Sequence, residues 1–178
     1  MDDDRIRIRP MTPADCDRVA EIRIGGWRSA YRGLIPQSYL DALDVARDAE
    51  RRRGYFSQGD ASVLDLVAER DGEIVGWACQ GPYRDGEART EDVELYAIYV
   101  DPGRYGTGIG HALLQESVRR CTAAGHPRML LWVLKDNARA RRFYERAGFR
   151  ADGAEEPFEV EGVEVPEVRY ARELTSHR

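Results

Sequence analysis

The sequence contains little cysteine and histidine, three residues of each among 178, and their spacing is not that of a metal site. The cysteines Cys16, Cys79 and Cys121 are far apart and odd in number, which argues against a disulfide framework. We therefore expect no bound metal, and reduced, mostly buried thiols in a cytoplasmic protein.

Long apolar runs and an excess of basic residues are also missing. No apolar stretch reaches the roughly 18 to 20 residues that a membrane-spanning helix requires, and the acidic start lacks the apolar segment of a signal peptide. Lysine plus arginine total 27 against 32 aspartate plus glutamate, a formal net charge of −5. Without a basic field, neither a nucleic-acid partner nor a membrane partner is expected, and the acidic balance mildly favours a cationic acceptor such as an amine.

The length and the absence of repeats, low-complexity tracts and linkers predict a single domain over residues 1–178. Short periodic segments predict a mixture of helices and strands. The predicted elements are a strand at Ile6–Arg9, a helix starting near Thr12 and fraying at Gly25–Gly26, a break at Tyr31–Pro36, helices at Gln37–Leu43 and Val45–Phe56, strands at Ser62–Glu69 and Glu73–Gln80, a polar loop at Gly81–Asp92, and final strands at Arg150–Val160 and Val165–Leu174.

The most informative segment is a glycine-rich run, Arg104–Gly110, between an apolar strand at Val93–Val100 and an amphipathic helix. Such a turn exposes main-chain N–H groups, the helix dipole adds partial positive charge, and no Cβ hinders an approaching anion. The segment therefore favours a phosphate or pyrophosphate ligand. The alternative is a strand-to-helix turn that binds nothing.

Two phosphate-binding motifs do not fit this run. The dinucleotide motif G-x-G-x-x-G would place its third glycine at His111, and the Walker loop needs a Gly-Lys-Ser/Thr that is absent. These failures argue against a nucleotide-dependent kinase or dehydrogenase. What remains is x-G-x-G-x-G after a strand ending in Val-Asp-Pro.

A second segment follows the same helix. Met129–Leu134 is a continuous apolar run typical of a buried strand. Asp136 or Asn137 can cap the next helix, which presents Phe143 and Tyr144 on one face and ends at Gly148. Together the two segments resemble the GNAT N-acetyltransferase superfamily, and the resemblance covers the chain from about Val63 to Leu174.

This resemblance implies an α/β (α+β) fold with a mixed, mostly antiparallel central sheet flanked by helices. Two central parallel strands, ending near Val100 and Leu134, would splay apart around the pantetheine arm of acetyl-CoA. The implied activity is transfer of an acetyl group to an amine by direct attack in a ternary complex. A non-catalytic acyl-CoA-binding module and a transferase for a longer acyl group stay open as alternatives.

The resemblance also implies a donor site. Main-chain groups of Ile98 and Val100 would bond the acetyl carbonyl and pantetheine, the glycine run would cradle the pyrophosphate, and Arg141 would meet the 3′-phosphate. The family usually has Gln or Arg where this chain has Tyr105, so Arg104 is the substitute considered. The predicted cofactor-binding residues are Ile98, Tyr99, Val100, Arg104, Tyr105, Gly106, Thr107, Gly108, Ile109, Gly110, Asn137 and Arg141.

Two residues are predicted to carry the chemistry. Tyr144 would protonate the departing thiolate, since a phenol is a suitable acid for a basic thiolate, although a tyrosine here can also simply pack in the core. Glu94 lies six residues before Val100, a spacing that resembles that of the catalytic glutamate in the histone-modifying branch of the family, and would accept the ammonium proton directly or through a water. A water chain as the base, or an amine that binds already neutral, stays open, and such a carboxylate is often only solvated.

The acceptor site is the least determined part. The resemblance places Trp27 and Tyr31 in the substrate-binding region, yet their i, i+4 spacing equally fits packing in a core. The acceptor is expected to be an amine of a small molecule or a peptide. The sequence itself does not indicate an oligomeric state, and a homodimer is expected only from the resemblance.

Overall fold

The computed structural model describes residues 5–174, so the acidic start lies outside this range. Helices and strands alternate only in the middle of the chain, from β4 to β6. They are β1 (Arg7–Pro10), α1 (Cys16–Ala30), α2 (Gln37–Ala42), α3 (Val45–Gln58), β2 (Leu64–Arg70), β3 (Glu73–Asp85), β4 (Ala88–Val100), α4 (Ile109–Ala123), β5 (Arg128–Leu134), α5 (Ala138–Arg146), β6 (Arg150–Val160) and β7 (Val163–Glu173).

The strands form one seven-stranded sheet in the order β1-β2-β3-β4-β5-β7-β6. Every neighbouring pair is antiparallel except β4 and β5, which are parallel. Helices cover both faces. This architecture confirms the predicted mixed, mostly antiparallel sheet.

The two faces of the sheet are packed by different helices. On one face α4 buries Ile109, Leu113 and Val118 against the central strands, as its spacing predicted. On the other face α1 and α3 approach the sheet, and Val19 of α1 packs with Trp77 of β3. The alternation of side chains along each strand therefore assigns every strand residue to the α4 face or to the α1 face.

The parallel pair β4–β5 is very short. It consists of Val93 opposite Met129 and Glu94 opposite Leu130, whereas β4 continues to Val100 and β5 to Leu134. Beyond these two pairs the strands no longer face each other as partners. We call the gap between β4 and β5 beyond Glu94 the strand cleft.

A β-bulge shapes the wall of the strand cleft. Cys79 pairs with Ala97 while Gln80 pairs with Leu95, so Tyr96 is an extra residue on β4. Its ring lies over Gly81, where a Cβ would be 2.7 Å from Tyr96 Cε2. Glycine at position 81 is therefore required for the ring to cross the neighbouring strand.

Helix α1 does not fray at Gly25–Gly26 and runs unbroken to Ala30, so that expectation was wrong. A Cβ on Gly26 would lie 2.7 Å from Cδ1 of Tyr99. The glycine lets the helix backbone approach β4 closely. Packing against the sheet thus outweighs the low helix propensity of two glycines, about 1 kcal/mol each.

The predicted polar loop at Gly81–Asp92 is also wrong. Strand β3 extends to Asp85 and β4 starts at Ala88, which makes a long hairpin that turns at Gly86 with φ 62°. The hydroxyl of Thr90 donates to the main-chain oxygen of Tyr83 across the hairpin. Hydrogen bonds across the two strands form this hairpin, although its residues lack the alternation of apolar and polar side chains that predicts a strand from sequence.

The cysteines are free and buried, as expected. Among residues 5–174, no helix combines the length and apolar character needed to cross a membrane. Within the same range, no cluster of three or more His, Cys, Asp or Glu is arranged to hold a metal ion.

Candidate active site

The glycine-rich segment Arg104–Gly110, called the glycine loop below, connects β4 to α4. Gly106 and Gly108 have φ values of 76° and 86°, which favour glycine, and Gly108 is the N-cap of α4. No atom lies within 4 Å of the position of a Cβ at either glycine. The exposed loop therefore leaves open space in front of the first N–H groups of a 15-residue helix.

The side chains around the glycine loop are already partly engaged. Arg104 donates to Glu73 at 3.0 Å, at the start of β3. The guanidinium of Arg139, on α5, lies 4.3 Å from the ring centroid of Tyr105. Sequence reasoning missed Arg139. The sequence showed only that Arg139 lies two residues after Asn137. That position did not indicate that α5 would place its side chain beside the glycine loop.

Two predicted donor-site residues lie on α5 and its cap. The side chain of Asn137 accepts a hydrogen bond from the N–H of Ala140 at 3.2 Å, so it caps the helix as expected, and its amide N–H groups stay available. Arg141 is bonded to the hydroxyl of Tyr170 and to the main-chain oxygen of Lys135, both at 2.8 Å. The structure thus does not bring Arg141 to the glycine loop, and its contact with a phosphate stays a prediction.

Ile98, Tyr99 and Val100 form the end of β4 along the strand cleft. They pair with β3 on one side, where Val100 is opposite Gly76. On the other side β5 no longer pairs with them. Main-chain groups on that edge are therefore positioned to bond a ligand that enters the strand cleft.

Tyr144 lies on α5 with its ring among other aromatic rings, 5.3 Å from Phe143 and 6.1 Å from Phe149 between centroids. Within residues 5–174 its hydroxyl has no hydrogen-bond partner. Burial, with a smaller contribution from Tyr99, raises the pKa of Tyr144 well above its ordinary value. The phenol therefore stays protonated at neutral pH, and its unpartnered O–H is available to hydrogen-bond a ligand.

Two further phenols lie beside Tyr144. The hydroxyls of Tyr31 and Tyr99 are 3.2 Å apart and share a hydrogen bond. Burial raises the pKa of both, and the nearby phenol of Tyr144 adds to the increase at Tyr31. The shared hydrogen bond connects α1 to β4, and Tyr144 on α5 interacts with both phenols only electrostatically.

Glu94 on β4 belongs to a group of three carboxyl groups, with Glu167 on β7 and Glu156 on β6. Burial raises the pKa of Glu94 to about 7, and the charges of Glu156 and Glu167 add to this. Burial and Glu156 likewise raise the pKa of Glu167 to about 7. Glu156 and Glu167 are cross-strand partners on β6 and β7. We call these three residues the carboxyl cluster.

Sequence reasoning found Glu94 but not its two neighbours. Glu156 and Glu167 sit in strands rich in glutamate, where nothing in the order of residues separates a half-buried carboxylate from an exposed one. Only the register of β7, which pairs with both β5 and β6, places them near Glu94.

The carboxyl cluster predicts a pH-dependent stability. The pKa of Glu167 is about 7 in the folded protein and 4.5 ordinarily, so the unfolded chain loses the proton first and the free energy of unfolding falls between about pH 4.5 and 7. We expect Glu167→Gln to be more stable than the wild type by about 1 to 2 kcal/mol at pH 8, after allowance for solvent screening, and equally stable at pH 4. Urea unfolding at both pH values measures this.

The matched control is Glu164→Gln, an exposed glutamate on the same strand. Its stability relative to the wild type is expected to be the same at both pH values. An equal gain in the free energy of unfolding at pH 8 in both variants would mean that general repulsion among the glutamates of β6 and β7, and not burial of Glu167, sets the pH dependence of stability.

Trp27 and Tyr31, the predicted acceptor residues, belong to an aromatic cluster. Trp27 is 4.9 Å from Tyr31, 6.0 Å from Tyr39 and 6.2 Å from Phe158 between ring centroids. This cluster packs on Leu40 and other buried apolar residues. The rings therefore fill one another's space, and acceptor contact by Trp27 and Tyr31 stays a prediction.

A mixed sheet whose two parallel strands part beside a glycine loop is the fold of the N-acetyltransferases. The model of the acetyltransferase (GNAT) family matches residues 27–149, more than half of the chain. The chain belongs to this family and is an N-acetyltransferase. The resemblance inferred from the two motif segments is thereby confirmed.

A relative carries the same family name, and two solved structures share the fold. The uncharacterized N-acetyltransferase YuaI of Bacillus subtilis is 28% identical over 163 residues, covering 92% of this chain and 90% of the relative. The PaiA N-acetyltransferase of Thermoplasma acidophilum, solved in complex with coenzyme A, gives a TM-score of 0.74 at 20% identity over 95% of this chain and 99% of that one. YncA of Salmonella typhimurium, solved with acetyl-CoA, gives a TM-score of 0.72 at 23% identity, over 98% of this chain and 96% of that one.

Proposed function

We propose that this protein transfers the acetyl group of acetyl-CoA to an amine by direct attack in a ternary complex. The observation that carries the proposal is the strand cleft, which opens between β4 and β5 with the protonated, unpartnered hydroxyl of Tyr144 nearby. The coenzyme A and acetyl-CoA bound by PaiA and YncA, which share the fold, support the choice of donor.

The residues present fit such a donor. The N–H groups at the start of α4 and the open space at Gly106 and Gly108 suit a pyrophosphate, and the edge of β4 at Ile98–Val100 suits the amides of a pantetheine arm. The exposed Arg139 beside Tyr105 supplies a cation at the loop. Bound acetyl-CoA would supply an activated thioester carbonyl.

The protein's own groups then manage charge and protons. A main-chain N–H of β4 stabilises the negative charge that develops on the carbonyl oxygen. Glu94, with a pKa of about 7, accepts the proton of the ammonium group, which must become a neutral amine before it can attack. Tyr144 donates its proton to the departing thiolate. Each carries the protonation state that its role needs near pH 7.

The test is release of free coenzyme A thiol from acetyl-CoA with a mixed panel of amines, together with calorimetric titration of acetyl-CoA. Turnover with any amine supports the proposal. Tight binding of acetyl-CoA without turnover on the panel would favour a non-catalytic acyl-CoA-binding module, and faster turnover with a longer acyl donor would favour another acyl group. A protein that does not bind acetyl-CoA at millimolar concentration would contradict the proposal.

The glycine loop gives a prediction with a close control. Gly108 and Gly125 lie at opposite ends of α4, both with φ 86° and with no atom within 4 Å of a Cβ. We expect Gly108→Ala and Gly125→Ala to lower stability by a similar amount, about 1 kcal/mol. Only Gly108→Ala should weaken acetyl-CoA binding, by about tenfold, because strain there shifts the N–H groups that face the pyrophosphate.

Calorimetric titration of both variants measures the difference in affinity, and thermal unfolding measures stability. Equal affinities in the two variants would show that the loop does not hold the donor's phosphates.

A further inference from the structure

A cavity of about 480 Å³ lies between α1, α3 and strands β2 to β4, on the sheet face opposite α4. Six of its sixteen lining residues are aromatic, among them Trp27, Phe56, Trp77 and Tyr99. The volume is in the range of small-molecule sites in proteins. We call this pocket the arginine cavity. None of the roles given above uses the cavity as a whole.

Arg52, on α3, is an unusual residue in the wall of the arginine cavity. Its side chain is 15% exposed, and its guanidinium lies 4.9 Å from the ring centroid of Trp77. Its Nε is buried without an acceptor, and the side chain makes no hydrogen bond within residues 5–174. A guanidinium has five N–H donors, and a buried charge that lacks hydrogen bonds is costly. The donors of Arg52 are therefore free for a ligand.

The nearest carboxylate does not satisfy Arg52. Asp48, whose side chain is 5% exposed, places Oδ2 3.7 Å from Nε of Arg52, beyond hydrogen-bond distance. Its Oδ1 accepts from Arg23 at 3.0 Å. One buried carboxylate thus serves two guanidiniums, and both arginines line the arginine cavity.

The other carboxylates of the arginine cavity are occupied elsewhere. Asp65 accepts from the indole N–H of Trp77 at 3.0 Å, and Asp60 accepts from the N–H and hydroxyl of Ser62 at 2.9 and 2.6 Å. Oδ2 of Asp48 is also buried without a hydrogen-bond partner, but Asp48 does not line the cavity. On the cavity wall the buried charged group without a hydrogen bond is thus the donor Arg52, which suits a ligand that brings acceptor oxygens.

The arginine cavity also borders the strand cleft. Tyr96, Ala97 and Tyr99, which line it, belong to the stretch of β4 that has parted from β5. Glu94 lies two residues before Tyr96, and its charge acts on the Tyr96 phenol. Glu94 therefore lies on β4 next to the residues that line the cavity.

We propose that the arginine cavity binds the acceptor, and that the acceptor is an amine carrying a carboxylate and a flat apolar body, as in an aromatic amino acid. The carboxylate bonds the guanidinium of Arg52, and the apolar body lies against the aromatic walls. This assignment of a substrate class rests on the proposed acetyl transfer and adds a specificity-determining residue to it.

The test compares three amino acids with their decarboxylated amines: L-phenylalanine with phenethylamine, L-tyrosine with tyramine, and L-tryptophan with tryptamine. Thiol release from acetyl-CoA gives kcat/KM for each. Calorimetry with the coenzyme A-loaded protein gives binding of each amino acid without turnover. We expect the wild type to prefer at least one amino acid over its amine by about tenfold or more, since a charge-assisted bidentate pair distinguishes them.

Arg52→Gln should lower kcat/KM for that amino acid by about 30-fold or more. It should change kcat/KM for the decarboxylated amine by less than about threefold. The control Arg51→Gln, an exposed arginine on the same helix, should change neither. Gln58→Trp adds a ring at an exposed residue lining the cavity and should weaken amino-acid binding even if Arg52→Gln folds poorly.

The outcomes separate this inference from the proposed function. Thiol release that is indifferent to the carboxylate, or unchanged in Arg52→Gln and Gln58→Trp, overturns the cavity assignment and leaves acetyl transfer standing. Binding of an amino acid that depends on Arg52, without thiol release from any amine, supports the cavity's ligand class and contradicts acetyl transfer. An absence of both binding and turnover for all three amino acids overturns the inference.

Discussion

Replacing Tyr144 by phenylalanine is expected to lower kcat by about 10² to 10³ while leaving the affinity for acetyl-CoA within about threefold. The substitution removes one hydroxyl and keeps the ring among Phe143, Phe149 and Tyr170. Without that hydroxyl the thiolate must leave unprotonated or take a proton from water. The expected loss in kcat corresponds to an activation free energy that is higher by about 3 to 4 kcal/mol. Thiol release at saturating donor and acceptor measures kcat.

The stability of this variant separates a chemical role from a packing role. The Tyr144 hydroxyl has no partner within residues 5–174, so its removal should leave the free energy of unfolding unchanged or slightly higher. The control is Tyr83→Phe on β3. It removes a hydroxyl that accepts a hydrogen bond from Arg169 at 2.8 Å, and the variant should keep full activity. A Tyr144→Phe enzyme with near-normal kcat would assign the residue to packing alone.

Much of the fold follows from local signals in the sequence. Asn137 caps α5, and Gly148 ends that helix region with φ 90° while the N–H of Phe149 bonds the oxygen of Tyr144. These features depend on residues a few positions apart, so the order of residues is enough to find them. The glycine loop belongs to the same kind of signal.

The errors occurred where distant residues decide the structure. Helix α1 persists at Gly26 because Tyr99, 73 positions later, packs against its bare backbone. Strands β3 and β4 extend into the predicted polar loop because their polar residues are hydrogen-bonded across the two strands. Neither contact leaves a trace in the neighbouring sequence.

The candidate site divides in the same way. Its main-chain part and Tyr144 were predicted from motifs, whereas the environment of Glu94 depends on Glu156 and Glu167 from strands that follow it by more than 60 residues. The arginine cavity was not predicted at all. Arg52 lies in an arginine-rich helix, and only the packing of α3 on β3 separates it from its exposed neighbours.

Glu94→Gln is expected to lower kcat/KM at pH 7 by about 10² to 10³ and to remove the ionisation near pH 7 from the pH profile. In the wild type, activity should rise as the pH increases through about 7, because burial and two neighbouring carboxylates keep Glu94 protonated, and unable to act as a base, below that pH. The amide keeps the shape of the side chain and cannot accept the ammonium proton. Rates measured between pH 5.5 and 9 give the profile.

The controls use the other glutamates near this strand. Glu91→Gln, at an exposed position of β4, should keep the wild-type profile. Glu167→Gln removes one of the two charges that act on Glu94, so it should shift the inflection to lower pH without abolishing it. If Glu167→Gln loses the inflection and Glu94→Gln retains it, then Glu167 is the base. If all three variants retain it, the amine loses its proton to solvent, and the raised pKa of Glu94 reflects its burial alone.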